Sequence, residues 1–207
     1  MILFLGGYDN RVQENVQYHK ELDTLALNLG LQTATSKTVI SALSVPNSIE
    51  VLFLLSVPTA FKYTLLQNSK LLLYTPVNEH FGIVPVEAMH SGLPVLASNT
   101  GGPLETIVEG ETGWLRNASN VDDWTAVMRK VLIELDDKNL ARMAVNGRKR
   151  VESEFSLTAM GDNLEAQIQQ MLGSDRPPFN GLQQLLLGFM LSGIAAALLA
   201  TAVFKKL

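Results

Sequence analysis

Short apolar segments alternate with longer amphipathic segments along most of this chain, and no other feature of the sequence restricts its fold as strongly. Short apolar runs that end in turn residues predict buried β-strands, and a 3.6-residue period predicts helices. The predicted strands are residues 2–5, 51–55, 70–74, 95–97 and 113–115. The predicted helices are, to within a few residues, 11–29, 59–67, 82–91, 103–109, 121–135, 137–152 and 157–172. This order predicts an α/β fold, with a parallel sheet and helices on both of its faces.

The composition is that of a folded protein and excludes several functional classes. Of the 207 residues, 47% are apolar and 17% are charged, which is typical of a globular domain. The net charge of −4 gives no basic surface, so we expect no nucleic-acid partner. The chain has no cysteine, which excludes disulfides and cysteine-ligated zinc.

The last part of the chain differs sharply from the rest. Residues 182–204 carry no charge, and as a helix they would span about 35 Å, enough for a hydrocarbon core of about 30 Å. The alternative, a buried core helix, is less favoured because apolar residues occupy every face. We therefore expect a globular domain at residues 1–172 that lacks its own start, a linker at 173–181, and a transmembrane helix at 182–204.

The first informative junction between a strand and a helix follows the predicted strand at 70–74. Pro85 lacks an amide hydrogen and fits best in the first turn of a helix, which places the helix start near Gly82. The free amides of residues 82–84 would then face an anion beyond the strand end. Glu79 lies in the preceding loop and Glu87 about one turn into the helix, where carboxylates could accept hydrogen bonds from sugar hydroxyls. By themselves, two glutamates at this spacing also occur by chance.

A second junction follows the strand at 95–97. Gly101 and Gly102 permit a tight turn with exposed amides, and Pro103 suits the first position of a helix. An isolated turn of this kind is usually only structural. Two such junctions at one edge of a parallel sheet favour nucleotide binding, because ligands collect at the carboxyl ends of parallel strands.

Four ordered motifs follow one another along the chain: Glu79-His-Phe-Gly-Ile-Val-Pro-Val-Glu87, Gly92-Leu-Pro-Val95, Gly101-Gly-Pro-Leu-Glu-Thr-Ile107 and Gly110-Glu-Thr-Gly-Trp114. Taken together, they resemble glycosyltransferase family 4. The resemblance implies the GT-B fold of two Rossmann-like domains, of which this chain corresponds to the carboxy-terminal, donor-binding one. It also implies retention of anomeric configuration. The amino-terminal domain and the Arg and Lys that neutralise the donor pyrophosphate in the family lie outside this sequence.

The resemblance also implies roles for individual residues. Glu79 would be the catalytic residue and would contact the donor sugar hydroxyls, while Glu87 would contact the ribose hydroxyls. We expect no cofactor and no metal, with GDP-mannose as a substrate. The expected donor-binding residues are Glu79, His80, Phe81, Gly82, Ile83, Val84, Glu87, Thr100, Gly101 and Gly102.

Within the family, the motifs are most similar to mannosyltransferases of N-glycan precursor synthesis. This implies transfer of mannose from GDP-mannose to a dolichol-diphosphate-linked oligosaccharide, at the endoplasmic reticulum membrane, with the body in the cytosol. The expected partners are the nucleotide-sugar, the lipid-linked acceptor, the membrane and other glycosyltransferases of the pathway. Two alternatives remain open: a GT-B transferase with another nucleotide-sugar, or a non-catalytic, membrane-anchored half-transferase module. We expect little activity from the chain alone.

Overall fold

The computed structural model describes residues 1–173, 181 and 185–192, which fall into two compact units. The first unit is Met1–Ser156 and the second is Leu157–Leu207. The strands are β1 (Ile2–Gly6), β2 (Thr33–Ser36), β3 (Val51–Leu55), β4 (Leu72–Tyr74), β5 (Val95–Ser98) and β6 (Gly113–Arg116). The α-helices are α1 (Gln13–Asn28), α2 (Val39–Leu43), α3 (Thr59–Gln67), α4 (Ile83–His90), α5 (Pro103–Thr106), α6 (Val121–Arg129), α7 (Asp137–Glu154) and α8 (Leu157–Gly173).

The strands form two parallel sheets, each of three strands, rather than the single sheet expected from the sequence. The first sheet has the order β1-β3-β2 and the second the order β4-β5-β6. In the second sheet, Tyr74 pairs with Ala97 and Ser98 with Arg116, so the carboxyl ends of these strands lie at one edge. The α/β class and the parallel arrangement are therefore confirmed.

Helices cover both faces of the second sheet. Val95 and Ala97 of β5 pack in a cluster with residues of α3, α4 and α7. Leu96, on the other face of β5, packs with Trp114 and with residues of α6 and α7. Because β5 is enclosed on both sides, it is a rigid support for the loop that follows it.

Two unexpected elements and two helix ends differ from the sequence predictions. The strand β2 was not expected because three of its four residues are Thr or Ser, and the helix α2 was not expected because its five residues are too few to show a helical period. The predicted helix 103–109 ends at Thr106, where the Arg150 guanidinium donates hydrogen bonds to the carbonyl oxygens of Glu105 and Thr106. The predicted helix 121–135 ends as a π-helical turn over Lys130–Glu134.

The second unit contains α8, whose bounds agree closely with the predicted helix 157–172. Most of the predicted transmembrane helix at 182–204, like most of the predicted linker at 173–181, lies outside the described residues. Within the described ranges, no helix is long and apolar enough to cross a membrane.

Candidate functional site

The candidate site lies at the carboxyl edge of the second sheet, where two loops meet. Residues 75–82 connect β4 to α4, and residues 99–102 connect β5 to α5. Since β4 and β5 are neighbouring parallel strands, both loops leave the sheet at the same edge. This is the edge at which open α/β sheets bind ligands.

Hydrogen bonds fix the two loops to each other. The Gly102 amide donates to the Glu79 carbonyl oxygen at 2.9 Å, and the Thr100 hydroxyl donates to the Val77 carbonyl oxygen at 2.9 Å. The Ser98 hydroxyl donates to the Pro76 carbonyl oxygen. The structure therefore brings the predicted segments 79–84 and 100–102 together.

The two glycines of the second loop are required by this close approach. A Cβ atom at Gly101 would lie 2.2 Å from the Glu79 carbonyl oxygen, and one at Gly102 would lie 2.1 Å from the Phe81 carbonyl oxygen. Gly101 also has a φ of +62°, which side chains disfavour. The prediction that this turn presents exposed amides as an anion site is wrong for Gly102, because its amide is bonded to Glu79. The following helix, α5, has only four residues and provides little helix dipole.

The Glu79 carboxylate is held by hydrogen bonds from its own loop and strand. The Tyr74 hydroxyl donates to Oε2 at 2.9 Å, and the Phe81 amide donates to Oε1 at 3.4 Å. These bonds, that of Tyr74 first, lower the pKa of Glu79 below its ordinary value of 4.5. Burial, followed by the bond and charge of Glu79, raises the pKa of Tyr74 to about 12. Glu79 is therefore an ionised acceptor at neutral pH, and Tyr74 is a neutral donor.

Helix α4 begins beside this carboxylate. Gly82 is its N-cap residue, in the left-handed conformation, and no side chain caps the helix. A Cβ atom at Gly82 would lie 3.3 Å from the Glu79 Cγ atom. The backbone amides of residues 80–82 also contribute to the lowered pKa of Glu79. The Gly82 amide, one of those that the sequence assigns to an anion, thus also stabilises the negative charge of Glu79.

Glu87 lies further along α4 and forms an ion pair with a residue of another helix. The Lys62 Nζ atom of α3 lies 2.6 Å from Glu87 Oε1, and the two side chains are 29% and 16% exposed. Glu87 Oε2 is buried and has no hydrogen-bond partner among the described residues. The two residues are 25 positions apart on different helices, so no local sequence pattern could have identified Lys62.

The other residues predicted to bind the donor lie in or beside the two loops, and most of them are exposed. His80, Phe81, Ile83, Thr100 and Gly101 are exposed, and Val84 is partly buried. The Phe81 ring contacts the Phe155 ring edge-to-face, with centroids 5.8 Å apart. This contact leaves Phe81 42% exposed at the mouth of the site.

Comparisons with known proteins agree on one family. Residues 29–150 match the family described as glycosyl transferases group 1. The alpha-1,3/1,6-mannosyltransferase alg-2 of Neurospora crassa is 50% identical over 208 residues, which cover 100% of this chain and 44% of that protein. The alpha-1,3/1,6-mannosyltransferase ALG2 of Rhizomucor pusillus is 47% identical over 171 residues, covering 82% of this chain and 37% of that protein. The chain thus spans less than half the length of these relatives.

Solved structures share the fold. The crystal structure of Anabaena HepE in complex with UDP superimposes with a TM-score of 0.60 and 22% sequence identity. The match covers 79% of this chain and 39% of that one. At this identity the likeness concerns the fold alone.

Proposed function

The chain belongs to the group 1 family of glycosyl transferases, and on this premise we propose that it is the donor-binding part of a retaining mannosyltransferase. The reaction is transfer of mannose from GDP-mannose to a dolichol-diphosphate-linked oligosaccharide in N-glycan precursor synthesis. The names of the relatives at 47–50% identity support mannose transfer. Because the chain spans 44% of the Neurospora protein, the proposal assigns it the donor half of the reaction only.

The observation that carries this proposal is the pair of docked loops with an ionised carboxylate between them. Glu79 is the catalytic residue of the proposal, and its carboxylate accepts hydrogen bonds from hydroxyls of the mannose. Glu87 accepts hydrogen bonds from the ribose. A charged carboxylate accepts charge-assisted hydrogen bonds from hydroxyl groups, which are stronger than bonds between neutral groups.

The start of α4 supplies the proposed phosphate contact. As the bond from mannose to the diphosphate breaks, negative charge develops on the leaving GDP. An uncapped helix amino terminus carries a partial positive charge and stabilises charge at that position. A single helix terminus stabilises this charge only modestly. The proposal therefore also includes the Arg and Lys that neutralise the donor pyrophosphate in the family.

We further place this activity at the endoplasmic reticulum membrane, with the body in the cytosol and the lipid-linked glycan as acceptor. Contacts with other transferases of the same pathway belong to the proposal as well. No cofactor and no metal enter the reaction as proposed.

A chimaeric enzyme tests the function. The segment of the Neurospora relative that matches this chain is replaced by the chain itself, and transfer of radiolabelled mannose to a dolichol-linked acceptor is measured. We expect transfer from GDP-mannose but not from UDP-glucose, and loss of at least a hundredfold with Glu79→Gln, as for removal of one transition-state contact. Glu111→Gln changes an equally charged but remote, exposed residue and should leave the rate unchanged. Use of UDP-glucose, or full activity of the Glu79 variant, would contradict the proposal.

A further inference from the structure

The ion pair between Lys62 and Glu87 joins two helices at the ligand-binding edge. Lys62 is the fourth residue of α3, which follows β3, and Glu87 is the fifth residue of α4, which follows β4. Helix α4 leaves the carboxyl end of β4, and Lys62 contacts Glu87 directly, so both charges lie near the edge at which the nucleotide is proposed to bind.

Partial burial makes this pair stronger than an ordinary surface pair. The exposed fractions of the two side chains are 29% for Lys62 and 16% for Glu87. Water and salt screen such a pair less than a fully exposed one. The Lys62 ammonium also lies 5.4 Å from the centre of the Tyr63 ring, which restricts it further.

A purely structural role leaves one atom unexplained. Lys62 bonds only Oε1 of Glu87, and the buried Oε2 has no hydrogen-bond donor among the residues that the structure describes. Burying a carboxylate oxygen without a donor is unfavourable, so a pair that served stability alone would bond both oxygens. An incomplete set of donors is what a carboxylate that awaits a ligand would show.

We propose that Lys62 is a positioning residue, which holds the Glu87 carboxylate in one orientation to accept hydrogen bonds from the vicinal hydroxyls of the nucleotide ribose. This inference rests on the proposed function, which assigns Glu87 to the ribose. A hydroxyl both donates and accepts, so one ribose hydroxyl can donate to Oε1 while it accepts from Nζ. The second hydroxyl would donate to Oε2, which has no donor among the described residues.

The test compares GDP with 2′,3′-dideoxy-GDP, which lacks both hydroxyls, by NMR titration of the full 207-residue chain up to millimolar nucleotide. The wild type should bind GDP about tenfold or more tightly than the dideoxy analogue, as for one charge-assisted hydrogen bond. Lys62→Met should remove this preference by weakening GDP binding alone, and Lys62→Arg should restore most of it. Lys70→Met removes the same charge at the opposite end of β4, from an exposed residue, and should keep the full preference.

The ratio of the two affinities is measured within each variant, so a partly destabilised protein still gives an interpretable result. A Lys62→Met variant that keeps the tenfold preference overturns the positioning role and leaves the proposed function standing. If Lys62→Met lowers the affinities for GDP and for the dideoxy analogue by the same factor, Lys62 has only a structural role. That result also overturns the proposal. A wild type that does not distinguish the nucleotides, or binds neither, removes the ribose assignment of Glu87 and this inference with it.

Discussion

At the scale of single residues, the charge of Glu79 depends on the phenol of Tyr74, at the end of the strand that precedes its loop. Tyr74 donates to Glu79 Oε2, and this bond is the largest cause of the lowered Glu79 pKa. Tyr74 itself has a pKa of about 12, so it remains a donor over the whole working range of pH. Tyr and Glu are both common residues, so their types alone do not indicate a site. The hydrogen bond between them is what marks Glu79 as a charged acceptor.

Tyr74→Phe should raise the pKa of Glu79 towards 4.5, because the main stabilising bond to the carboxylate is lost. The stability that this bond contributes is present above pH 4.5 and disappears as the pH falls through the lowered pKa. The variant should therefore be less stable than the wild type at neutral pH and equal to it at the acid end. NMR titration of the Glu79 carboxyl carbon and thermal unfolding against pH measure both effects.

Tyr18→Phe is the matched control, since Tyr18 is 61% exposed on α1. It should change neither the Glu79 titration nor the dependence of stability on pH. An unchanged Glu79 titration in the Tyr74 variant would show that the phenol does not stabilise this carboxylate.

At the scale of elements, the site depends on how closely the loop after β5 approaches the loop after β4. Gly102→Ala should destabilise the protein by about 1–3 kcal/mol, because its Cβ atom would lie 2.1 Å from the Phe81 carbonyl oxygen. The backbone at Gly102 is helical, so the cost comes from the contact and not from strain. Urea unfolding measures the change in free energy.

Gly161→Ala provides the comparison for that substitution. Gly161 lies within α8, and its added Cβ atom would meet no atom within 4 Å. There the substitution should be neutral or stabilise the protein by up to about 1 kcal/mol, through helix propensity alone. Equal effects at the two positions would show that the loops do not need the close approach.

The strands and helices were predicted well wherever the sequence has an apolar run, a helical period of apolar residues or a proline at a helix start. The strands β3 and β5 are continuous apolar runs, and Pro85 and Pro103 marked the starts of α4 and α5. The strand β2 was missed because its Thr and Ser residues form an edge strand whose pairing with β3 is set by tertiary contacts. The sequence motifs likewise led to Glu79 and Glu87, but not to Tyr74 and Lys62 as their partners. Such partners depend on distances between elements, which local patterns do not contain.

At the scale of the whole molecule, the candidate site and the described core lie within a single unit. The three clusters of buried residues contain only residues of Met1–Ser156, and so do the hydrogen bonds that join the two loops. Helix α8 has no buried residue of its own. Donor binding, as proposed, therefore needs the first unit alone.

A chain that ends at residue 156 should unfold cooperatively and bind GDP with an affinity within about twofold of the full chain, because the contacts that fix Glu79, Glu87 and Lys62 remain. Circular dichroism during urea unfolding reports the folding, and NMR titration reports the affinity. The matched comparison is the same shortened chain with Glu87→Gln, which should bind GDP more weakly because the charged acceptor for the ribose is lost. If shortening alone removes binding while the unfolding stays cooperative, residues after 156 must contribute to the donor site.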